Sequence, residues 1–318
     1  MPRNNELTKA AIGGSEVAAI LGLDPLRSGH DIWLVKKGLV TVQPNYRMIK
    51  GKCLERGIIE LYAHVTNQEI VWIDKTAINA TRPWQSYTPD ALVINRNPNE
   101  FEYKKGVDAK LVSYDQRHKW GETVDEIPKS AFLQALWYAN GMDLPAWDIA
   151  AMIGDDDDPR IYTVDRDPEL EEVILAETET WWKKYLVGNE EPPLGASEAT
   201  GDWIRQKYPR ANSRIRQATD AEIAWMRKYN AIRETQKPLE QSRQELENLL
   251  INAVGEDAGI ICGQGKFTWK KTESGGTDWK GLATMLMLLA TPEQREGWLK
   301  HYARDGFRRI AFKWDSSK

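Results

Sequence analysis

Two short apolar segments, YTPDALV at 87–93 and GVDAKLV at 106–112, constrain the fold of this 318-residue chain more than any other feature. Each has the length and apolar content of a buried strand. Asp90 follows a Thr-Pro turn in the first segment, and Asp108 and Lys110 lie two residues apart in the second. Residues two apart on a strand face the same side of the sheet. The sequence therefore predicts adjacent strands that carry two carboxylates and one lysine.

This set of side chains suits the metal-dependent hydrolysis of phosphodiesters. Carboxylates hold a hard cation such as Mg²⁺ or Mn²⁺, and a lysine stabilises negative charge or orients the attacking water. The arrangement resembles that of the PD-(D/E)xK nucleases, in the form with Asp before x-Lys. A strand with a solvated polar face has the same local pattern, so residues elsewhere in the chain must decide between the two interpretations.

Two further polar residues lie on predicted helices. Glu55 accompanies an apolar stripe at helical spacing over 48–66, from where a carboxylate that faces the sheet can complete a metal site. Gln134 interrupts an otherwise apolar helix over 128–140, and a buried amide there would need hydrogen-bond partners on the strands. The alternatives are a surface ion pair between Glu55 and an arginine, and a solvent-exposed Gln134.

The order of the predicted elements indicates an α/β (α+β) chain. Predicted helices cover 13–22, 29–37, 48–66, 128–140 and 167–187. Predicted strands cover 69–78, 87–95, 101–112, 147–153 and 160–165. Ser15 is the expected N-cap of the first helix. The segment GDDDDP between the last two strands predicts a hairpin turn, with a calcium loop as the alternative.

A segment rich in proline and small residues at 192–201 predicts a boundary between a nuclease domain over 1–195 and a C-terminal extension over 196–318. The extension begins with a basic stripe made of Arg205, Lys207, Arg210, Arg214 and Arg216. A long charged helix over 218–254 follows, which Pro238 is expected to kink. After it come a strand with a Gly-Gly turn, a helix over 279–303 and a last strand over 307–314. We expect this extension to bind duplex DNA or to stabilise an oligomer.

Composition excludes several other classes. Two cysteines, Cys53 and Cys262, cannot supply the four thiolates of an iron–sulfur cluster. The polar first residues and the lack of an 18-residue apolar run predict neither a signal peptide nor a membrane span, and hence a cytoplasmic location. A net charge of −4 leaves any DNA binding to local basic patches.

Taken in order, these segments resemble the YqaJ-like viral recombinase family, which includes the lambda-type alkaline exonucleases. The matching segments are IGGSEVAAILGLDP, the following helix ending in VKKG, GKCLERGIIELY, YTPDALV, GVDAKLV, FLQALWYANG and YTVDRDPELEEVILAETETWWKKYLVGNEEPP. The resemblance covers roughly residues 10–195 and implies a restriction-endonuclease-like core, with a central mixed sheet flanked by helices.

The resemblance also implies a role for each matching residue. The implied metal ligands are Asp90, Asp108, the Ala109 carbonyl and Glu55. Lys110 would be the catalytic lysine, and Gln134 the glutamine that braces the site. The implied ligands of a 5′ phosphate on DNA are Ser15, Thr88 and Lys9. Lys9 lies one step out of register with an arginine of the family, and lysine binds phosphate as a point charge rather than as a fork.

The activity that the resemblance implies is Mg²⁺-dependent 5′-to-3′ exonuclease action on linear double-stranded DNA during phage-type recombination. The relatives imply a homo-oligomer, a ring of three subunits, that works beside a single-strand annealing protein in a bacterial host. A PD-(D/E)xK endonuclease and a non-cleaving DNA-binding assembly protein are the alternatives. Digestion of linear but not closed circular DNA distinguishes an exonuclease from an endonuclease. Metal-dependent nucleotide release excludes a non-cleaving assembly protein.

Overall fold

The computed structural model of the protein describes residues 10–73, 75–97, 100–210, 214–263, 265–270 and 278–302. They divide into two compact units, Met1–Tyr208 and Pro209–Lys318. The first unit therefore extends past the boundary expected near residue 195. None of the helices in the described ranges combines the length and the apolarity that a membrane crossing requires.

The first unit contains the helices and strands predicted for the core. Its described helices are α1 (Gly14–Ile20), α2 (Gly29–Lys36), α3 (Tyr46–Thr66), α4 (Lys129–Gly141), α5 (Pro168–Trp181) and α6 (Glu198–Lys207). Its described strands are β1 (Ile12–Gly13), β2 (Glu69–Trp72), β3 (Ala77–Ile78), β4 (Gln85–Tyr87), β5 (Ala91–Asn97), β6 (Glu100–Val112), β7 (Ala146–Ile153) and β8 (Arg160–Asp165). A π-helical segment, Trp182–Val187, continues α5.

A five-stranded mixed sheet with the order β2-β5-β6-β7-β8 forms the centre of this unit. Strands β6 and β7 are parallel, and the other neighbours are antiparallel. The predicted α/β fold class with a central mixed sheet is thus confirmed, and so is the hairpin between β7 and β8. The single strand predicted over 69–78 is wrong, because β2 joins the large sheet whereas β3 joins a small sheet of order β1-β4-β3.

Side chains alternate across the large sheet, so that both of its faces are buried. Leu92 and Trp147 belong to the larger apolar cluster, which also contains residues of α1, α2, α4 and α5. Ala91 and Val93 belong to a second cluster with Ile59 of α3. Helix α3 therefore covers one face and α4, with its neighbours, covers the other. The alternation directs every second side chain at the end of β6 toward α4.

The N-terminus of α1 differs from the expectation. Gly13 is the N-cap rather than Ser15, which lies inside the first turn of the helix. The Gly13 amide donates to Oε2 of Glu16 over 2.8 Å, and the same oxygen lies 2.6 Å from Nζ of the buried Lys36. The Glu16 carboxylate, paired with Lys36 of α2, thus satisfies the Gly13 amide, which has no partner within the helix.

Helix α6 was not predicted, and it packs within the first unit. Thr200 donates from Oγ1 to the Asp31 carboxylate of α2 over 2.9 Å, and Ser197 donates to the same carboxylate. The ring centroids of His30 and Trp203 lie 5.2 Å apart. Because its polar contacts reach residues far away in sequence, α6 is stabilised by tertiary structure rather than by local propensity.

The second unit contains helices α7 (Asp220–Val254), α8 (Trp279–Leu289) and α9 (Pro292–His301) and a hairpin of β9 (Gly259–Cys262) with β10 (Gly265–Thr268). Helix α7 continues through Pro238. The helix predicted over 279–303 is two helices, because Thr291 caps a new helix that Pro292 begins. The predicted strand over 307–314 and the Gly-Gly turn lie outside the described residues.

Candidate functional site

Two carboxylates lie beside each other where β5 begins. Asp90 immediately precedes β5, and Asp108 is a buried residue of β6. The antiparallel register pairs Ala91 with Val107, which brings the residues before and after that pair together. The Asp90 amide donates to Oδ1 of Asp108 over 3.4 Å, and the Ala109 amide donates to Oδ2 of Asp90 over 3.0 Å. Backbone pairing therefore fixes both carboxylates relative to each other.

Gln134 of α4 connects the acid and the lysine of β6. Its Nε2 donates to Oδ2 of Asp108 over 2.8 Å, and its Oε1 accepts from Nζ of Lys110 over 3.0 Å. A lysine ammonium can only donate and an ionised carboxylate can only accept, so the two partners fix the orientation of the amide. Nζ of Lys110 also lies 3.7 Å from Oδ2 of Asp108. The predicted side chains Asp90, Asp108, Lys110 and Gln134 are thus neighbours in space.

The electrostatic environment of this group is that of crowded acids. Burial, then the charges of Asp108 and Glu55, raises the pKa of Asp90 to about 8, against the opposing effects of Lys110 and the Ala109 amide. Two adjacent carboxylates in a partly buried site repel each other, so the neutral form of one is favoured when no cation is present. A single lysine does not cancel this repulsion.

Glu55 lies on α3 and faces solvent in part. Its carboxylate pairs with Lys52 one turn earlier on the same helix. Its charge contributes to the raised pKa of Asp90, so the carboxylate lies within electrostatic range of the site. Within the described ranges, no three side chains of His, Cys, Asp or Glu are grouped closely enough to hold one metal ion. Glu55 therefore lies near Asp90 and Asp108 without joining them in such a group.

The residues expected to bind a 5′ phosphate have different outcomes. Ser15 is exposed in the first turn of α1, and its carbonyl accepts from Nη2 of Arg27 over 2.5 Å. Thr88 lies two residues before Asp90, and its Oγ1 is 2.8 Å from Oγ1 of Thr76. Lys9 lies outside the described residues.

Sequence reasoning missed Tyr138 and did not foresee that Gly14 lies against the site. The Tyr138 hydroxyl lies 3.5 Å from Nε2 of Gln134, and its ring packs edge-on against Trp147 with centroids 5.3 Å apart. A Cβ added to Gly14 would lie 2.6 Å from Cε1 of Tyr138 and 3.1 Å from Cγ of Gln134. The available signals were the i,i+4 spacing of Gln134 and Tyr138 on one helix face and the Gly-Gly doublet before Ser15.

Two solved structures that are similar to this chain are exonucleases. An alkaline exonuclease from Laribacter hongkongensis is 15% identical, with a TM-score of 0.45 over 64% of this chain and 95% of that chain. A phage-related exonuclease from Haemophilus somnus 129PT is 16% identical, with a TM-score of 0.42 over 58% of this chain and 99% of that chain.

The amino-acid sequence is similar to one curated protein and matches one family model over part of its length. The chain is similar to an uncharacterized protein YqaJ of Bacillus subtilis strain 168, at 22% identity over 312 residues that cover 95% of this chain and 92% of the relative. Residues 5–140 match the model of the YqaJ-like viral recombinase domain, and this range includes every predicted site residue. The match places a YqaJ-like viral recombinase domain at residues 5–140 of the 318-residue chain.

Proposed function

We propose that the protein is a metal-dependent 5′-to-3′ exonuclease that acts on linear double-stranded DNA in phage-type recombination. The observation that carries this proposal is the group formed by Asp90, Asp108, Lys110 and Gln134. Two carboxylates and a lysine on adjoining strands, held by a glutamine from a packed helix, are the parts that hydrolysis of a phosphodiester requires.

The chemistry of the donors fits a hard divalent cation. The raised pKa of Asp90 reflects carboxylates that repel each other, and a divalent cation between them would allow both to ionise. Asp90 and Asp108 would hold the cation together with the Ala109 carbonyl, and Glu55 would add negative charge nearby. We propose Mg²⁺, with Mn²⁺ as a substitute. A bound cation of this kind lowers the pKa of a coordinated water and neutralises charge on the phosphate.

The remaining chemistry belongs to the side chains of the protein. Lys110 carries the positive charge that stabilises the phosphate as it gains negative charge in the transition state, and it orients the attacking water. Gln134 holds the Lys110 ammonium beside Asp108 and so prevents it from turning to solvent. The Ala109 amide keeps one Asp90 oxygen in place, which leaves the other free to bind a ligand.

The 5′ polarity depends on residues around α1. Gly14 packs directly against Gln134 and Tyr138. The first turn of α1, which contains Ser15, therefore lies close to Gln134. Thr88 precedes Asp90 by two residues. We propose that Ser15 and Thr88, together with Lys9, bind the 5′ phosphate of the strand that is digested. We further propose a ring of three subunits around the DNA and a single-strand annealing protein as partner in the cytoplasm of a bacterial host, as the family resemblance implies.

One assay tests the activity and its alternatives. Linear duplex DNA labelled at one 5′ or one 3′ end is incubated with Mg²⁺, Mn²⁺, Ca²⁺ or EDTA, beside closed circular DNA of the same sequence. We expect nucleotide release from linear DNA with Mg²⁺ or Mn²⁺, early loss of the 5′ label and no release with Ca²⁺ or EDTA. Cleavage of the circle would indicate an endonuclease instead, and DNA binding without any release would indicate a non-cleaving assembly protein.

The 5′-phosphate proposal needs its own comparison. The same duplex is prepared with a 5′ phosphate and with a 5′ hydroxyl, and both are offered to the wild type and to Ser15→Ala. We expect the wild type to prefer the phosphorylated end and the variant to lose that preference while it still digests DNA. An equal preference in both proteins would assign the 5′ phosphate to other residues and would leave the nuclease assignment untouched.

A further inference from the structure

Helix α7 carries an exposed apolar seam with a seven-residue repeat. Trp225, Ile232, Leu239 and Leu246 lie seven residues apart and are 66%, 58%, 67% and 60% exposed. A second line with the same repeat, three or four residues away, consists of Tyr229, Gln236, Arg243 and Leu250. Among the residues that the structure describes, Val254 is the single buried member of this 35-residue helix.

This pattern identifies the kind of partner that the seam fits. A strict seven-residue repeat keeps its apolar line facing another helix as the two wind around each other, whereas a helix on a globular core follows a 3.6-residue period. Thirty-five residues correspond to about 52 Å of helix, which is long enough for four to five heptads. A lone helix with exposed Trp, Ile and Leu gains most of its stability from packing against such a partner.

The charges beside the seam select the orientation of the partner. The flanking charged positions are basic in the N-terminal half, at Lys228 and Arg233, and acidic in the C-terminal half, at Glu240 and Glu247. A parallel copy would bring like charges together, and an antiparallel copy brings basic positions against acidic ones. We propose that α7 pairs with α7 of a second copy of this chain as an antiparallel two-stranded coiled coil.

One register matches residue sizes along the seam and pairs the outer flanking charges, and it places Glu240 beside the partner's Glu240 at the two-fold axis. Tyr229 then lies opposite the partner's Ala253, and Ile232 lies opposite the partner's Leu250, so large residues meet smaller or complementary ones. Arg233 lies beside the partner's Glu247. The polar layers at the centre contain Gln236 and Arg243. Arg243 already pairs with Glu240 and Glu247 on its own helix, so its charge is compensated within the seam. Polar layers of this kind lower stability but fix the register.

Cysteine cross-linking of the full-length chain tests this register. The natural cysteines, Cys53 and Cys262, are free and exposed, so both are first replaced by serine. Ile232→Cys is introduced into one protein and Leu250→Cys into a second protein of different tagged mass. After mixing and mild oxidation, we expect a mixed disulfide dimer and little dimer from either protein alone, because facing positions bring Cβ atoms within disulfide range. Asn248→Cys, on the outer face of α7, is the matched control and should not link to Ile232→Cys.

Sedimentation of the full-length chain gives a second readout. Leu239→Glu with Leu246→Glu should raise the concentration at which this contact dissociates by at least about 10-fold, the factor that corresponds to about 1.4 kcal/mol. The pair Gln241→Glu with Asn248→Glu adds the same charge on the outer face and should leave it unchanged. Linking of Ile232→Cys to itself would overturn the antiparallel arrangement. Absence of any interchain link in folded protein would overturn the proposal, because another segment or another partner would then cover the seam.

Discussion

Gln134 of α4 donates a hydrogen bond of 2.8 Å to Asp108 of β6, and this contact fixes the position of the Asp108 carboxylate relative to the helix. The amide cannot turn over, because its oxygen accepts from Lys110 at the same time. The lysine is thereby held on the side of β6 where the carboxylate lies. A single side chain of α4 thus sets the separation between the acid and the cationic group.

We predict that Gln134→Leu lowers turnover by about 10- to 100-fold, the usual effect of removing a residue that orients a metal ligand. Leucine fills much of the same volume, so the fold should persist while Asp108 and Lys110 lose their common partner. Nucleotide release from linear duplex DNA measures the effect. Lys129→Ala, an exposed change on the same helix, serves as the control. Unchanged turnover in Gln134→Leu would show that the bridge is not needed.

Removal of the charge on Lys110 or Asp90 should lower turnover more than Gln134→Leu does. Lys110→Ala and Asp90→Asn are each expected to lower turnover by at least ~100-fold, the typical loss when one group that stabilises transition-state charge is removed. DNA binding should stay largely intact, because most affinity for DNA comes from contacts with its backbone phosphates. Single-turnover cleavage and filter binding separate the two effects. Lys104→Ala, an exposed lysine on the same strand, is the matched control, and near-normal cleavage by either variant would contradict the site assignment.

Asp90, Asp108, Lys110 and Gln134 could be predicted as one group because the signals that mark them are local. Strand alternation aligned Asp108 with Lys110, and helical spacing set Gln134 apart on an apolar helix. The pairing of β5 with β6 then followed from their succession along the chain. The distances between these four side chains needed the structure, since the register of two strands depends on how their side chains pack on both faces.

Features that depend on distant residues were not predictable in this way. Ser15 is a favourable cap by composition, but Glu16 caps Gly13 because Lys36 from another helix holds its carboxylate. The predicted strand over 69–78 contained two strands, because its halves pair with different partners. Local propensity does not encode which pairing wins, and the same is true of α6, whose contacts with Asp31 span more than 160 residues.

Gly14 provides a test of close packing behind the site. We predict that Gly14→Ala destabilises the fold by about 1–3 kcal/mol, the usual cost of overpacking, because its Cβ would meet Tyr138 at 2.6 Å. Displacement of Tyr138 and Gln134 should also lower turnover. Gly57→Ala on α3 meets nothing within 4 Å and should stabilise the helix by roughly 0.5–1 kcal/mol. Thermal unfolding of the two variants, with cleavage rates, makes the comparison, and equal behaviour would refute the packing argument.

The raised pKa of Asp90 predicts a pH dependence of stability in metal-free protein. Its folded pKa of about 8 exceeds the ordinary aspartate value of 3.8, so between these pH values the folded state binds more protons than the unfolded state. The contribution is therefore fully present below about pH 4 and is lost as pH rises toward 8. Unfolding in denaturant with EDTA at pH 5, 6.5 and 8 should show this decline in wild type and a flatter dependence in Asp90→Asn. The same slope in both proteins would contradict it.

Metal binding should show the opposite trend with pH. A divalent cation must displace the proton that Asp90 carries, so its apparent affinity should rise with pH until about 8. Titration with Mn²⁺ at several pH values measures this in the wild type. Asp90→Asn should bind more weakly and with less dependence on pH.

The last prediction concerns where the catalytic part of the chain ends. Helix α6 supplies Ser197 and Thr200 as donors to the buried Asp31 carboxylate, so a chain that stops at Gly195 would leave this carboxylate short of partners. An unsatisfied buried group costs about 1–3 kcal/mol. We therefore expect residues 1–208 to fold and to cleave DNA, and residues 1–195 to be less stable or to aggregate.

The two truncations also test the basic stripe. Arg205 and Lys207 pair with Asp202 and Glu191, and Arg216 pairs with Glu222, so acids neutralise part of the stripe. If Arg210, Arg214 and Arg216 contact phosphates, removal of the second unit should still weaken DNA binding and flatten its salt dependence. With fewer phosphate contacts, binding releases fewer counterions from the DNA. Binding of residues 1–208 measured from low to moderate salt gives the slope. A slope equal to that of the full chain would assign the second unit to self-association rather than to DNA.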